Sequence, residues 1–307
     1  MNTASEPESK KFYKYMSAST AKIVLVSNKL RWKSPLCFND PFDIVREIAH
    51  NISRENIHTA FKKMIKEIIS NDRCIDISDF TPAIQDFIKQ EKISRDNNKK
   101  EWPVKFNKTN FYQIINQDLL IDFDNMKNVW RNDSLYRMRV LCLSAEKHIL
   151  PMWYHYADKY SGAVLEINLS NNIDSPWLDF RPINYSDSAT ELSSAKIWAE
   201  LSMFSTDKMI KKLNDIHDLF AYRKKKDWSY EQEWRAVRYA PEDNEHHYSD
   251  IPIDTKYFSK IYLGPKMKQK DYEDIKLLIS KSSKLIGAYR MSFGLDQKIK
   301  FTKILDD

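Results

Sequence analysis

The stretch DWSYEQEWRAV, residues 227–237, leads into a strand in which charged side chains recur at every second position. Successive side chains of a strand point to opposite faces, so Glu231, Glu233 and Arg235 should share one face. Two carboxylates on one surface raise one another's pKa, while Arg235 beside them holds at least one ionised. The stretch therefore predicts either a pair of carboxylates that performs chemistry or a ladder of ion pairs with a neighbouring strand.

Further strand signals lie near the start of the chain and on both sides of this stretch. They are KFYKYMS at residues 11–17, RVLCLS at 139–144, AVLEINL at 163–169 and KIYLG at 260–264. Between about residue 50 and residue 135, apolar residues instead recur at three- and four-residue steps, as on the buried face of a helix. The pattern predicts one α+β domain over residues 1–307. Its core should be two small, mainly antiparallel sheets, with residues 50–135 as an inserted helical lobe.

Composition excludes several classes of protein. The chain has 307 residues but only four glycines, so neither a Gly-rich dinucleotide fingerprint nor a P-loop is present. The formal net charge of +6 is compatible with a polyanionic partner. The start lacks a secretory signal and no apolar run approaches the roughly 20 residues of a membrane span, so we expect a cytoplasmic protein without a membrane segment. Cys37, Cys74 and Cys142 lack the spacing of metal ligands, so we expect no metal site.

Three stretches resemble, in this order, the signature blocks of the bacterial family known as domain of unknown function 2971. They are KYMSASTAKIVLVSNKLRWKSPLCFNDPFD, LCLSAEKHILPMWYHYADKYSGAVLEIN, and DWSYEQEWRAV followed by KIYLGPKM. The combination of FNDPF, WYHYAD and EWR in order is specific, whereas each alone would be weak. Two positions depart from the family's pattern, since Met16 stands where a basic residue is frequent and Tyr154 where a small polar residue is usual.

The order of elements is also similar to that of the ADP-ribosyltransferase fold. Both have an aromatic opening strand, a helix, a second strand with Ser34, and a late strand bearing Glu-x-Glu. This resemblance implies an ADP-ribosyltransferase-like split of two small sheets, in a toxin or phage-defence effector that transfers ADP-ribose from NAD to nucleic acid or protein. Glu233 would be the catalytic carboxylate, because a carboxylate stabilises an oxocarbenium-like transition state. Glu231 would position the acceptor nucleophile, and a toxin would imply an antitoxin protein.

The side chains expected to bind NAD are Tyr13, Lys14, Tyr15, Ser34, Asn39, Asp40, His155, Tyr156 and Arg235. The tyrosines of the opening strand are equally explained as half-buried edge residues, and the two turn residues as side chains that bond their own backbone. His155 and Asp158 could meet as an acid/base pair on a predicted helix, or His155 is polar surface. Tyr156 falls with Trp153 on the predicted buried stripe of that helix.

Other functions compete with the transferase hypothesis. The basic run Arg223–Lys226 could follow a phosphate backbone, with Trp102 or Trp228 as a stacking face, or it is a solvated charged surface. A non-catalytic binding or regulatory module would leave the polar residues purely structural. A metal-dependent nuclease would need clustered acidic ligands near a lysine, and the sequence shows no convincing Asp…Glu-x-Lys site.

Overall fold

The computed structural model describes residues 10–44, 46, 52–70, 76–97, 128, 130–169, 180–187, 194–241, 246–282, 286–296 and 298–305. The chain divides into two compact units. The first unit comprises Met1–Asp43, Tyr136–Asp187 and Tyr222–Asp307, and the second comprises Ile44–Leu135 and Ser188–Ala221.

Within the described ranges, the strands are β1 Lys10–Met16, β2 Lys29–Lys33, β3 Met138–Ser144, β4 Ala163–Leu169, β5 Arg181–Pro182, β6 Asn184–Tyr185, β7 Arg223–Lys224, β8 Glu233–Tyr239, β9 Tyr248–Pro252, β10 Phe258–Leu263, β11 Gly287–Phe293 and β12 Ile299–Leu305. The helices are α1 Ala18–Ser27, α2 Arg54–Ser70, α3 Pro82–Asn97, α4 Leu135–Arg137, α5 Leu150–His155, α6 Ala195–Met203, α7 Thr206–Ala221 and α8 Gln269–Ser280. Short 3₁₀ helices span Pro35–Cys37, Lys226–Glu231 and Thr255–Tyr257, and a π-helix spans Trp130–Ser134.

In the part of the chain that the structure describes, ten strands of the first unit form one open sheet. Eight follow the order β12-β11-β10-β4-β1-β3-β2-β9, while β8 pairs with β3 and β5 pairs with β8. The strands β6 and β7 form a separate parallel pair. The predicted mixed fold with mainly antiparallel pairing is confirmed, since β10–β11 is the one parallel pair described within the large sheet.

The expected split into two separate sheets is wrong, because β3 joins both groups of strands. β1 and β2 lie along the same edge of β3, and each meets it at a single residue pair, Tyr13 with Ser144 and Lys33 with Val140. The two strands must therefore diverge from each other. The Lys14 ammonium lies at this divergence and donates to the Cys142 carbonyl oxygen at 2.9 Å, which satisfies an acceptor that regular pairing would otherwise use.

The two faces of the sheet have different cores. Helices α1 and α8 cover one face, where the buried side chains include Phe12, Leu141, Leu143, Leu165, Ile275 and Ile279. The other face carries an aromatic cluster around Trp153, which is 0% exposed and donates from Nε1 to the Lys147 carbonyl oxygen at 2.8 Å. Tyr13 and Tyr15 of β1 belong to this second cluster. Because the side chains of β1 alternate between the two faces, this strand contributes buried residues to both cores.

The predicted WYHYAD helix is shorter than its apolar pattern indicates. Helix α5 ends at His155, and Asp158, Lys159 and Tyr160 have φ values of 48°, 51° and 71°. A left-handed turn of L-residues is unfavourable and needs support from its surroundings. The support comes from close contact with β1 at Gly162. Any other residue there would place its Cβ 2.2 Å from the Met16 carbonyl oxygen. The turn can therefore pack directly against β1.

The second unit is helical in its described part. Helices α2, α3, α6 and α7 enclose a core that includes Ile57, Phe61, Ile65, Ile84, Trp198, Leu201 and Phe220. The predicted lobe of residues 50–135 falls within this unit, which also takes in residues 188–221. The predicted helix FYQIINQDLLIDF, residues 111–123, lies outside the described residues.

We expect Trp153→Ala to lower the free energy of unfolding by about 3–5 kcal/mol, because the substitution opens a cavity and removes a buried hydrogen bond. Tyr154→Ala is the matched control, since Tyr154 is the next residue and is 46% exposed. Urea unfolding followed by circular dichroism measures both variants. Equal unfolding free energies for Trp153→Ala and wild type would show that this aromatic cluster does not stabilise the sheet.

Candidate functional site

Five charged side chains form a buried cluster on the same sheet face as the Trp153 core. The Lys224 ammonium lies 2.6 Å from a Glu231 carboxylate oxygen, 3.0 Å from Glu233 and 3.4 Å from Asp43. The Arg235 guanidinium contacts Glu233 through Nε at 2.6 Å and Asp43 through Nη2 at 2.6 Å. Each carboxylate thus contacts at least one cation, and the two cations bridge all three carboxylates.

Different elements bring these side chains together. Glu233 and Arg235 alternate on β8, opposite Ser144 and Cys142 of β3. Lys224 lies on β7. The predicted alternation on a strand is confirmed for Glu233 and Arg235 and is wrong for Glu231.

Glu231 ends the 3₁₀ helix Lys226–Glu231 and is not on the strand. Gln232 then adopts a left-handed backbone with φ 43°, which turns the chain into β8. The Ser144 hydroxyl fixes this corner by donating to the Glu231 carbonyl oxygen at 2.7 Å. The carboxylates of Glu231 and Glu233 still meet at one ammonium, but through a turn and not through strand alternation.

Burial makes this cluster electrostatically strong. Arg235 is 0% exposed, Glu231 2% and Glu233 5%. Charges at such positions are screened little by water, so each must be compensated by a partner. Three carboxylates face two cations, which leaves one negative charge in excess if every group is ionised.

The excess charge falls on Glu231. Burial raises the pKa of Glu231, although Lys224 opposes the shift, and the neighbouring Glu233 raises it further. Burial also disfavours the ionised form of Glu233, but Arg235 and Lys224 outweigh it and hold its pKa well below the ordinary value. The two carboxylates therefore differ in their affinity for a proton: Glu233 is held as an anion, and Glu231 binds a proton more readily than an ordinary glutamate.

Two tyrosines bond to the two glutamates, one to a side chain and the other to a backbone N–H. Tyr156 donates from its hydroxyl to Glu231 at 2.7 Å, and burial together with Glu231 raises the pKa of Tyr156. The Tyr185 hydroxyl accepts from the Glu233 backbone N–H at 2.8 Å. Burial raises the pKa of Tyr185 to about 12. Both phenols thus remain neutral near pH 7.

Aromatic rings flank the cluster. Lys224 lies 5.1 Å from the centroid of the Trp228 ring, and Trp228 packs on Tyr230 at 6.1 Å. The Phe42 side chain is 66% exposed, and the Lys225 ammonium lies 4.2 Å from the centroid of its ring. Partly exposed rings beside a buried pair of carboxylates could stack with a planar heterocycle.

The residues of the opening strand lie apart from the carboxylates. Glu166, Tyr13, Ser144 and Glu233 are successive partners across β4, β1, β3 and β8, so they form one row on one face. The backbone of Tyr13 is therefore two strand spacings, about 10 Å, from that of Glu233. Tyr15 donates to the Glu146 carbonyl oxygen at 2.8 Å.

Strand pairing places Ser34, which precedes the first turn at residues 38–43, at a distance from Glu233. Ser34 is buried and caps the 3₁₀ helix Pro35–Cys37 by accepting from the Leu36 N–H at 3.2 Å. The preceding Lys33 lies in the row of Val237, so strand spacings put it roughly 17 Å from Glu233. Asn39 is exposed.

Asp40 closes a turn with its own backbone, which is the alternative to an NAD-binding role for this residue. Its carboxylate accepts from the Phe42 N–H at 2.8 Å, which closes the turn through its own backbone. Asp43, three residues further on, is the member of this stretch that reaches the cluster. Sequence reasoning missed Asp43 because the turn signal fell on the residues before it.

The predicted pair of His155 and Asp158 is wrong. Helix α5 ends at His155, so the two residues do not share a helix surface. The Asp158 carboxylate instead accepts from the Ser161 hydroxyl at 2.8 Å. His155 is exposed and contacts the rings of Tyr154 and Tyr156.

Lys224 is the central residue that sequence reasoning missed. It was predicted as part of a solvated or phosphate-binding run, Arg223–Lys226, but it is 6% exposed, whereas Lys225 and Lys226 are exposed. The signal that could have found it is its place in a basic run seven residues before a Glu-x-Glu. Trp102, proposed as a stacking face, lies outside the described residues.

The described residues provide neither a cluster of metal ligands nor a membrane-spanning helix. They contain no group of three or more His, Cys, Asp or Glu side chains that could hold a metal ion. Their helices include none with both the length and the apolar character needed to cross a membrane.

The opposite pKa shifts predict opposite pH dependences of stability. Because the folded-state pKa of Glu231 is raised, the unfolded chain releases this proton first, so the contribution of Glu231 to stability falls as pH rises above about 4.3. The pKa of Glu233 is depressed, so its contribution is present above about pH 4.3 and is lost as pH falls below it.

Urea unfolding between pH 3 and pH 8 tests this with Glu231→Gln and Glu233→Gln. The advantage of wild type over Glu231→Gln should shrink as pH rises, and its advantage over Glu233→Gln should shrink as pH falls. Two curves that run parallel to wild type would contradict the assignment of protonation states.

Comparison with known proteins supports one of the two resemblances. The model of a family described as protein of unknown function DUF2971 matches residues 152–236. No curated protein and no solved structure matches the chain. The matched segment begins in α5 and ends at Ala236 of β8, so it includes Tyr156, Lys224 and both carboxylates of the pair. Over these residues the chain resembles the DUF2971 family, as the sequence blocks predicted.

Proposed function

We propose that the first unit is an ADP-ribosyltransferase-like enzyme that cleaves the nicotinamide glycosidic bond of NAD. The observation that carries the proposal is that Glu231 and Glu233 share the Lys224 ammonium while their pKa values are displaced in opposite directions. Two carboxylates in different protonation states at one site are typical of acid/base and electrostatic roles at a glycosidic carbon.

The ionised Glu233 would stabilise the transition state by its charge. When the bond between nicotinamide and ribose breaks, the bonding electron pair leaves with neutral nicotinamide and positive charge develops on the ribose. A fixed anion in a site of low dielectric favours this state over the ground state. Both Glu233 oxygens are held by Arg235 and Lys224, so we assign it an electrostatic role and not a hydrogen bond to the ribose.

Glu231 would act as the base for the acceptor. An acceptor hydroxyl or amine forms the new bond to the ribose carbon and loses its proton to the Glu231 carboxylate. A carboxylate whose pKa lies above the ordinary range is suited to exchange protons near neutral pH. Tyr156 holds the other oxygen of Glu231 and would orient it for this transfer.

The arrangement of strands supports the proposed likeness to the transferase fold in part. The divergence of β1 and β2 at one edge of β3 opens the sheet at its centre. The aromatic strand β1 lies about two strand spacings, 10 Å, from the carboxylates, within reach of one dinucleotide. Ser34 caps a helix elsewhere and is therefore left out of the proposed NAD site.

We further propose a cytoplasmic toxin or phage-defence role with nucleic acid as the acceptor. The exposed Lys225 and Lys226 lie next to the carboxylate pair in sequence, and Phe42 offers a ring beneath Lys225. Basic side chains with interleaved rings suit a single strand, because they combine phosphate contacts with base stacking. An antitoxin protein would be the corresponding partner.

A non-catalytic module is the second candidate, and burial favours it. Arg235 is 0% exposed, and each of the five charged groups has at least one oppositely charged partner. Such a cluster can simply fix the packing of β7, β8 and the first turn. The two candidates differ in one respect: the module requires no proton exchange at Glu231.

The test is release of nicotinamide from NAD by wild type, Glu231→Gln, Glu233→Gln and Glu273→Gln. We expect Glu233→Gln to reduce the rate by about 100-fold or more with little change in NAD affinity, because its charge acts in the transition state. Glu231→Gln should reduce transfer to an acceptor more than it reduces hydrolysis by water. Glu273→Gln, on the exposed side of α8, is the matched control and should retain the wild-type rate.

Folding of each variant is checked by circular dichroism. Absence of nicotinamide release by folded wild type, with and without single-stranded nucleic acid, would favour the binding module.

A further inference from the structure

A second polar centre lies on the same sheet face, where the Lys147 ammonium points among three aromatic rings. Its Nζ is 5.5 Å from the centroid of Tyr13, 5.2 Å from that of Tyr262 and 6.0 Å from that of Phe301. A cation within about 6 Å of a ring centroid is attracted by the negative face of the ring. Three rings around one cation form an aromatic cage.

A buried carboxylate lies behind these rings. Glu166 is 2% exposed and accepts from the Tyr262 hydroxyl at 2.6 Å and from the Ser259 hydroxyl at 2.9 Å. Tyr13 also shares a hydrogen bond with it. Among the described residues, no cation lies within ion-pair distance of Glu166. The cage therefore combines aromatic faces with a buried carboxyl group whose described partners are hydroxyl groups.

The walls of the cage are rigid. Tyr13 and Glu166 are direct partners of β1 and β4, and Tyr262 pairs with Val164 on the adjacent strand. The Phe301 ring of β12 packs edge-on against Tyr262 at 4.8 Å. Side chains on paired strands hold their places without a ligand.

Lys147 reaches the cage from a fixed backbone. The Lys147 carbonyl accepts from Trp153, and the preceding Glu146 carbonyl accepts from the Tyr15 and Ser144 hydroxyls. The flexible part is thus the side chain alone, with its four-carbon stem. Lys147 is only partly buried, so this side chain can leave the cage for solvent.

The cage fits its own lysine poorly. An ammonium carries three hydrogen-bond donors, and in the part of the chain that the structure describes the Lys147 ammonium makes no hydrogen bond or ion pair. A quaternary or methylated ammonium has fewer donors or none and loses less by entering. The site is therefore chemically better matched to an alkylated cation.

We propose that Tyr13, Tyr262, Phe301 and Glu166 form a binding site for an alkylammonium group of a ligand, and that the Lys147 side chain occupies it when no ligand is bound. The class of ligand is a small cation such as choline, or a methylated lysine side chain. The cage shares Tyr13 with the proposed NAD site, but its carboxyl group is a different one, since Glu166 lies three strand spacings, about 14 Å, from Glu233.

The test uses tetramethylammonium chloride as the probe, with sodium chloride at equal ionic strength as the salt control. Binding is followed by isothermal titration calorimetry and by the rise in melting temperature. We expect Lys147→Ala to bind the probe at least about tenfold more tightly than wild type, because the competing cation is gone.

Two further variants make the result specific. Lys266→Ala is the matched control, because it removes an exposed lysine placed 5.5 Å from the centroid of the Tyr160 ring outside the cage. It should bind the probe as wild type does. Phe301→Leu in the Lys147→Ala background should abolish the gain, and Phe301 is only half-buried, so the variant should fold.

A Lys147→Ala protein that binds no more tightly than wild type would overturn the proposal. So would a gain that survives Phe301→Leu or that appears equally in Lys266→Ala. All these readouts are independent of nicotinamide release, so failure here and failure of the transferase proposal are distinguishable.

Discussion

Compensation of buried charge is the constraint on which the first unit depends. Arg235 cannot be deprotonated and is 0% exposed, so it must have anions in contact, and Glu233 and Asp43 supply them. Loss of one partner would leave an unpaired buried charge, which costs several kcal/mol. The first turn, β7 and the corner before β8 are therefore held in place by the same few contacts that define the candidate site.

Much of the fold could be predicted from the sequence because strands and helices have their own periodicities. The strands around residues 11–17, 139–144 and 163–169 and the alternation of Glu233 and Arg235 follow directly from period-two patterns. The joining of these strands into one sheet could not be predicted, because it depends on single residue pairs at one edge of β3. No local pattern encodes which strands share an edge.

The predictions for the site were wrong where the backbone departs from regular helix or strand. Gln232, with φ 43°, separates Glu231 from the strand, and three left-handed residues separate Asp158 from α5. None of these residues is a glycine, so the usual signal of a left-handed backbone was missing. Lys224 could not be predicted for another reason, because a basic run gives no indication of which of its residues is buried.

The protonation of Glu231 connects the geometry of the cluster to the chemistry proposed for it. In the resting protein burial keeps the pKa of Glu231 raised, and the neighbouring Glu233 adds to the shift while Lys224 opposes it. A substrate that carries a positive charge, as the nicotinamide ring of NAD does, would favour the ionised carboxylate beside it. Glu231 would then lose its proton when such a substrate binds, and it would be an unprotonated base when the acceptor arrives. Under the proposed function, an acidic cluster with one carboxylate more than its cations would be a resting state whose charge a cationic substrate balances.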